Sequence, residues 1–229
     1  MTGNRFIIIL FILGLLIIAY PHIAQLVNNH IQALQVEQFQ GKLAHIPDKV
    51  KESQLAVVKD CNKSLFENKT GLHDPFTNGY IREVYEGCTE ALVEGDFFAS
   101  LEIPRLDLTI PIYLGANDEI LSRGVGQVEG SSLPIGGLNT HTVLAAHRGM
   151  GTKEMFRNID VLEEGDNFYI HTVNGILNYE VYRKEVILPY ETETLEIEAG
   201  KDLATLITCH PYRANSHRLL IHGERVPQY

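Results

Sequence analysis

The sequence predicts a mainly β domain, a closed barrel or sandwich of about eight short strands, carried behind N-terminal helices and a membrane segment. Three observations carry that reading. From Phe97 onward, alternating or β-branched runs are separated by turn residues at short intervals. Between Ile23 and Asn68, apolar residues recur every three or four positions, the spacing of one helix face. Phe6–Tyr20 (FIIILFILGLLIIAY) is fifteen residues without a charge.

The chain is long enough to bury a core: 229 residues, 45% hydrophobic and 21% charged, favour one domain with accessories. Its 19 basic and 29 acidic residues give a net charge of −10, and no Lys/Arg run offsets it, which argues against nucleic acid as a partner. Three cysteines, Cys61, Cys88 and Cys209, are too few and too odd in number for a disulfide scaffold, so at least one thiol is unpaired. A Cys61–Cys88 disulfide is open to an exported chain; free thiols are the default expectation.

Residues 1–4 form a short cytoplasmic tail in this reading, and 5–24 the membrane anchor. A span needs about 20 apolar residues, so the run must extend through Pro21, Ile23 and Ala24. A retained anchor is favoured over a cleaved signal peptide because small residues are poorly supplied at the two cleavage positions. Arg5, the only charged side chain ahead of the run, places the N-terminus in the cytoplasm and exports the rest of a single-pass chain to the extracellular side. Over 25–69, Leu26, Val27, Ile31 and Leu34, then Val50, Leu55, Val58 and Leu65, predict two helices broken by Gly41 and Pro47, a stalk or packing pair. Residues 70–96, with Gly71, Asp74-Pro75, Asn78-Gly79 and Gly87, read as a long loop with one helical turn.

The β domain occupies 97–229. Its strands are expected at Phe98–Ile103, Asp107–Tyr113, Gly126–Glu129, His141–Ala146, Asn167–Thr172, Ile176–Leu188, Leu203–Thr208 and His217–Arg225. Thr152–Asn158, preceded by Gly149 and Gly151, reads as an inserted helix.

Three residues sit at strand ends. Cys209 closes the apolar run Leu203–Thr208 ahead of His210-Pro211, where the chain must turn. His147 closes Thr142–Ala146, and Arg218 starts the last strand. Each alone has a structural explanation: a buried core thiol, a structural histidine, an ion-paired arginine. Together they hold what covalent acyl transfer needs. An unperturbed thiol is only about 3% ionised at pH 7, so a neighbouring cation changes its reactivity directly. The imidazole can protonate a leaving amine, and the guanidinium, which keeps its proton, can hold an oxyanion.

The segment TLITCHPYRANSHRLLIHGERV resembles the signature of the sortases, cysteine transpeptidases of Gram-positive cell surfaces. AAHRG at 145–149 resembles their histidine motif, and EMFRNIDVLEEGDNFYI the segment that follows it in class C, the pilin-polymerising branch. LHDPF at 72–76 resembles the lid of that branch. The resemblance covers Leu72–Val226 and implies an eight-stranded sortase-type β-barrel. It implies catalytic roles for His147, Cys209 as nucleophile and Arg218 as oxyanion stabiliser, with Asp74, Pro75 and Phe76 as a lid in which Asp74 contacts the arginine and Phe76 packs near thiol and imidazole. No cofactor is implied. Position 210 is His where Thr is common, Met150-Gly151 stand where Leu-Pro is frequent, and no second apolar run appears before Tyr229, which implies a single anchor or a truncated chain.

The implied reaction cleaves an LPxTG-like sorting signal between Thr and Gly through a thioacyl-enzyme and passes the acyl group to a lysine of another pilin subunit, polymerising pili. The implied partners are pilins bearing that signal and an acceptor lysine, together with membrane lipid. Housekeeping relatives, which use a peptidoglycan amine, are one alternative, and a non-enzymatic, membrane-anchored β-domain of fibre assembly is another. A metal site on His141, His147, Cys209, His210, His217 and His222 is disfavoured, since none of these residues sits in a metal-ligand frame. A papain-like hydrolase is disfavoured by order, because His147 precedes Cys209.

Overall fold

Alternation along a strand sends side chains to opposite faces, and this sheet is apolar on both. The computed structural model describes residues 2–69, 71–77, 88 and 98–227. Its strands are β1 (Ala99–Ile103), β2 (Leu108–Leu114), β3 (Val125–Gln127), β4 (Thr140–Ala145), β5 (Asn167–Thr172), β6 (Gly175–Ile187), β7 (Asp202–His210) and β8 (His217–Arg225). They close into a barrel in the order β1-β2-β3-β4-β7-β8-β6-β5, so the expected eight-stranded barrel is the observed one. The β2–β3 and β4–β7 pairs are parallel and the others antiparallel. Leu101, Ile103, Ile110, Leu144, Phe168, Leu206 and Ile221 fill the barrel. On the outer face of β4, β7 and β8, Val143, Ala145, Ile207 and Leu220 form a second apolar layer, covered by Leu72, Leu121 and Leu195.

The parallel β4–β7 pair sets the position of the site. Both strands run to the same rim, and β8, antiparallel to β7, starts there.

Helix α1 (Thr2–Ala44) runs unbroken through the apolar segment, Pro21 and Gly41, and carries the one candidate membrane span among the described residues, by length and composition. Beyond that apolar segment it lies on the barrel: Val36 is buried, Asn28 Nδ2 donates to Thr152 O (2.8 Å) and Gln32 Nε2 to Arg123 O (3.1 Å). The break expected at Gly41 falls only at His45–Pro47, because glycine in a packed helix costs only about 1 kcal/mol whereas proline disfavours helix in the residue before it. Helix α2 (Asp48–Asn68) packs Val58 and Leu65 on Leu133 and Ile135. Asn62 fixes its register, donating from Nδ2 to Leu133 O (3.0 Å) while Oδ1 accepts from Leu133 N (2.8 Å).

Three expectations need correcting. Cys61 and Cys88 are disulfide-bonded, not free, because the packing of α2 on the barrel brings Cys61 next to Cys88; Cys209 is a free, buried thiol. Thr152–Asn158 is not a helix. Met155 takes a positive φ (50°) that a right-handed helix cannot contain, and the turn drops Met155 and Phe156 together into the barrel core. Gly149 also needs its left-handed φ (+86°), and a Cβ there would lie 2.6 Å from Arg157 Nε. A helix that periodicity did not mark, α3 (Asp118–Arg123), is capped by Asn117, whose side chain accepts from Ile120 N (2.9 Å). Of the loop expected over 70–96, only 71–77 and Cys88 are described; the helical turn expected there lies outside the described residues apart from the turn at Pro75–Phe76.

Candidate active site

Strand pairing carries the site residues to one rim. Cys209 on β7 is the cross-strand partner of Arg218 on β8. Ala145 pairs with Ile207, and Ala146 N still donates to Ile207 O (3.3 Å), so His147 comes level with Cys209 one step further on. Thr208 Oγ1 stitches the same ends by donating to Ala146 O (2.7 Å). The His147 carbonyl accepts from Gly149 N (2.7 Å) and Phe156 N (3.0 Å), which anchors the backbone at the strand end.

Asp74-Pro75-Phe76 lies across these residues. Arg218 Nε donates to Asp74 Oδ1 (2.6 Å) and Nη2 to Asp74 Oδ2 (2.7 Å), a bidentate pair in which Arg218 is 4% and Asp74 9% exposed. Arg218 Nη1 donates to Asn215 O (2.9 Å) and His217 O (2.8 Å). Four of the five guanidinium N–H bonds are therefore engaged by protein oxygens. The Phe76 ring stands 5.2 Å from the Arg218 guanidinium carbon and 6.2 Å from the His147 ring, tilted at 45° to the latter. The segment is held on both sides: Thr192 Oγ1 donates to Leu72 O (3.2 Å), and Thr77 Oγ1 to Asp74 O (3.0 Å).

Burial raises the Cys209 pKa; Arg218 opposes the rise and Asp74 adds to it. Burial lowers the His147 pKa, with Asp118 opposing. Both directions favour a neutral thiol beside a neutral imidazole while the segment is closed. Cys209 is buried, so little of its thiol meets solvent in this arrangement.

The structure thus brings His147, Cys209, Arg218, Asp74 and Phe76 together. Two other sequence candidates, His141 and His222, lie further along the same outer face, where each contacts the Thr205 hydroxyl, at 2.7 and 2.8 Å. Sequence reading missed a contact between Arg148 and His210, the residues that follow His147 and Cys209, and the carboxylate of Asp118 acting on His147. The motif position of Arg148 was the available signal for the first; the Asn117 cap was the signal for the second.

Known proteins share this fold. The Sortase domain family model matches residues 101–226. Sortase C1 of GBS Pilus Island 1 superposes with a TM-score of 0.79 at 37% identity, covering 86% of this chain and 93% of that one. A sortase C of Streptococcus pneumoniae gives 0.78 at 36% identity, over 84% and 96%. Sortase D of Bacillus subtilis (strain 168) is 31% identical over 129 residues, 55% of this chain, and the match spans 62% of that relative's length.

Proposed function

We propose, because this chain belongs to the sortase family, that it is a membrane-anchored cysteine transpeptidase whose nucleophile is Cys209. The observation that supports this best is the pairing of Cys209 with Arg218 at the rim that also holds His147, under the Asp74–Phe76 segment. In this reading Asp74 first releases Arg218. The Cys209 thiol passes its proton to His147 as sulfur adds to the threonine carbonyl of an LPxTG-like sorting signal. Arg218 holds the oxyanion of the tetrahedral intermediate. Its collapse breaks the Thr–Gly bond; His147 returns the proton to the departing glycine amine, and a thioacyl-enzyme remains. A lysine amine of another pilin then attacks the thioester carbonyl and gives its proton to His147. The new amide forms as the Cys209 sulfur leaves and recovers that proton.

Pilin lysine is the favoured acceptor because Asp74-Pro75-Phe76 closes the site and because the similar solved structures include a sortase of a pilus island. Helix α1 anchors the enzyme as a single pass, with Arg5 on the cytoplasmic side and the barrel outside. The test incubates the Asp74→Ala enzyme with a pilin bearing an LPxTG-like tail, beside Cys209→Ala. A boiling-resistant ladder absent from the control supports the reading. An acyl adduct without a ladder redirects the acceptor to a peptidoglycan amine; neither product favours a non-enzymatic β-domain.

A further inference from the structure

Arg148 follows His147 and His210 follows Cys209, and these two neighbours meet on the other side of the strand ends. Arg148 Nη1 lies 2.5 Å from His210 Nδ1, while Nη2 pairs with Asp160 Oδ2 at 2.9 Å in the 3₁₀ turn Ile159–Val161. The Arg148 side chain is 7% exposed. A guanidinium has donors and no acceptor. The contact therefore requires His210 Nδ1 to be a bare acceptor, which puts the imidazole proton on Nε2. A charged His210 carries N–H on both nitrogens and turns a donor toward a donor, so the contact cannot survive protonation.

We propose that Arg148 and neutral His210 form a clamp that ties the end of β4 to the end of β7, that this clamp holds His147 level with Cys209, and that protonating His210 opens it. Both are positioning residues, and the inference rests on the proposed roles of His147 and Cys209. The clamp spans the gap those two residues must bridge: β4 and β7 share regular pairing only up to Ala145–Ile207, and beyond it the ends are joined by Ala146, Thr208 and this contact. The charged and titratable groups facing His210 are Arg148, Asp160 and, across the strand pair, His217. Burial, Arg148 and His217 keep the His210 pKa below its ordinary value, against Asp160, which is the direction that preserves the clamp at neutral pH.

The test uses the full chain in detergent micelles, with histidine nitrogen NMR and transpeptidation assays on His210→Asn, His210→Leu and Arg148→Gln. Asn places an uncharged acceptor at the reach of Nδ1, and Leu removes the acceptor. At neutral pH the His210 Nδ1 signal is expected at an unprotonated position, and Arg148→Gln is expected to raise the His210 pKa. His210→Leu should move the His147 ring signals and lower kcat about tenfold to a hundredfold with little change in KM, as a misplaced catalytic group does. His210→Asn should restore both. As pH falls below the ordinary imidazole value, wild-type kcat should drop relative to His210→Asn. Unmoved His147 signals with wild-type kcat in His210→Leu, or a wild-type to His210→Asn ratio constant with pH, would overturn the clamp. If neither wild type nor Asp74→Ala turns over the sorting peptide, the transpeptidase reading fails, and the His147 and His210 signals still decide the clamp.

Discussion

Asp74 holds Arg218 with both carboxylate oxygens, at 2.6 and 2.7 Å, so the guanidinium that would stabilise an oxyanion is occupied before substrate arrives. The same carboxylate raises the pKa of Cys209. One side chain thus restrains the site twice, by occupying the arginine and by disfavouring the thiolate.

Asp74→Ala is therefore expected to speed alkylation of Cys209. Hydrogen bonds to charged groups contribute about 1.5–3 kcal/mol each, so losing this pair should raise the open population at least about tenfold. The thiol pKa should also fall, moving the alkylation–pH profile to lower pH. Rates measured with a soluble iodoacetamide across pH check both effects; wild-type rates and an unmoved profile would reduce Asp74-Pro75-Phe76 to an ordinary turn.

Arg218→Ala should lower single-turnover acylation on the order of 10²- to 10³-fold, the cost of losing one oxyanion donor. Arg218→Lys keeps the charge and loses the planar fork, so it should recover little. Near-normal acylation in Arg218→Ala would remove the arginine from the chemistry.

The Cys61–Cys88 disulfide closes a separation of 27 residues that includes the Asp74–Phe76 segment. Chain-entropy reasoning gives about 3–4 kcal/mol for a loop of that size. Cys61→Ser with Cys88→Ser should lower Tm by roughly 10 °C, and reductant should reproduce the loss in wild type but not in the variant. An unchanged melting curve would show that α2 holds this segment without the covalent link.

Stability should fall between pH 6.5 and 4 because of His141, whose pKa burial pushes down from 6.5 to about 4. The folded value lies below the unfolded one, so the contribution is full above pH 6.5 and is lost as pH falls through the folded value. It amounts to about 3 kcal/mol. Denaturant unfolding across that range should show a steeper loss in wild type than in His141→Gln, where no imidazole titrates; equal slopes would contradict it.

How far the sequence reaches depends on the range of each signal. Strand ends are local events, marked at Cys209 by Pro211 and at His147 by Gly149, and the eight strands lie within about two residues of their expected limits. Strand pairing, which no local signal expresses, then brings His147, Cys209 and Arg218 to one rim. Helix α3 has six residues, too few for a period to show, although its Asn117 cap was readable. Met155 and Phe156 defeated the helix expected at 152–158 because the barrel core draws both inward, a tertiary demand that local spacing does not express. The Arg148–His210 contact joins positions 62 apart, and beyond the place of Arg148 in the histidine motif no local spacing expresses it.

The most direct test is mass spectrometry of the Asp74→Ala chain after incubation with an LPxTG-like peptide. The expected product is a hydroxylamine-labile adduct on Cys209 carrying the peptide up to Thr, with the Gly-containing fragment released and both absent from Asp74→Ala with Cys209→Ala. Cleavage that persists without Cys209, or a peptide that stays whole while the thiol is accessible to alkylation, would contradict it.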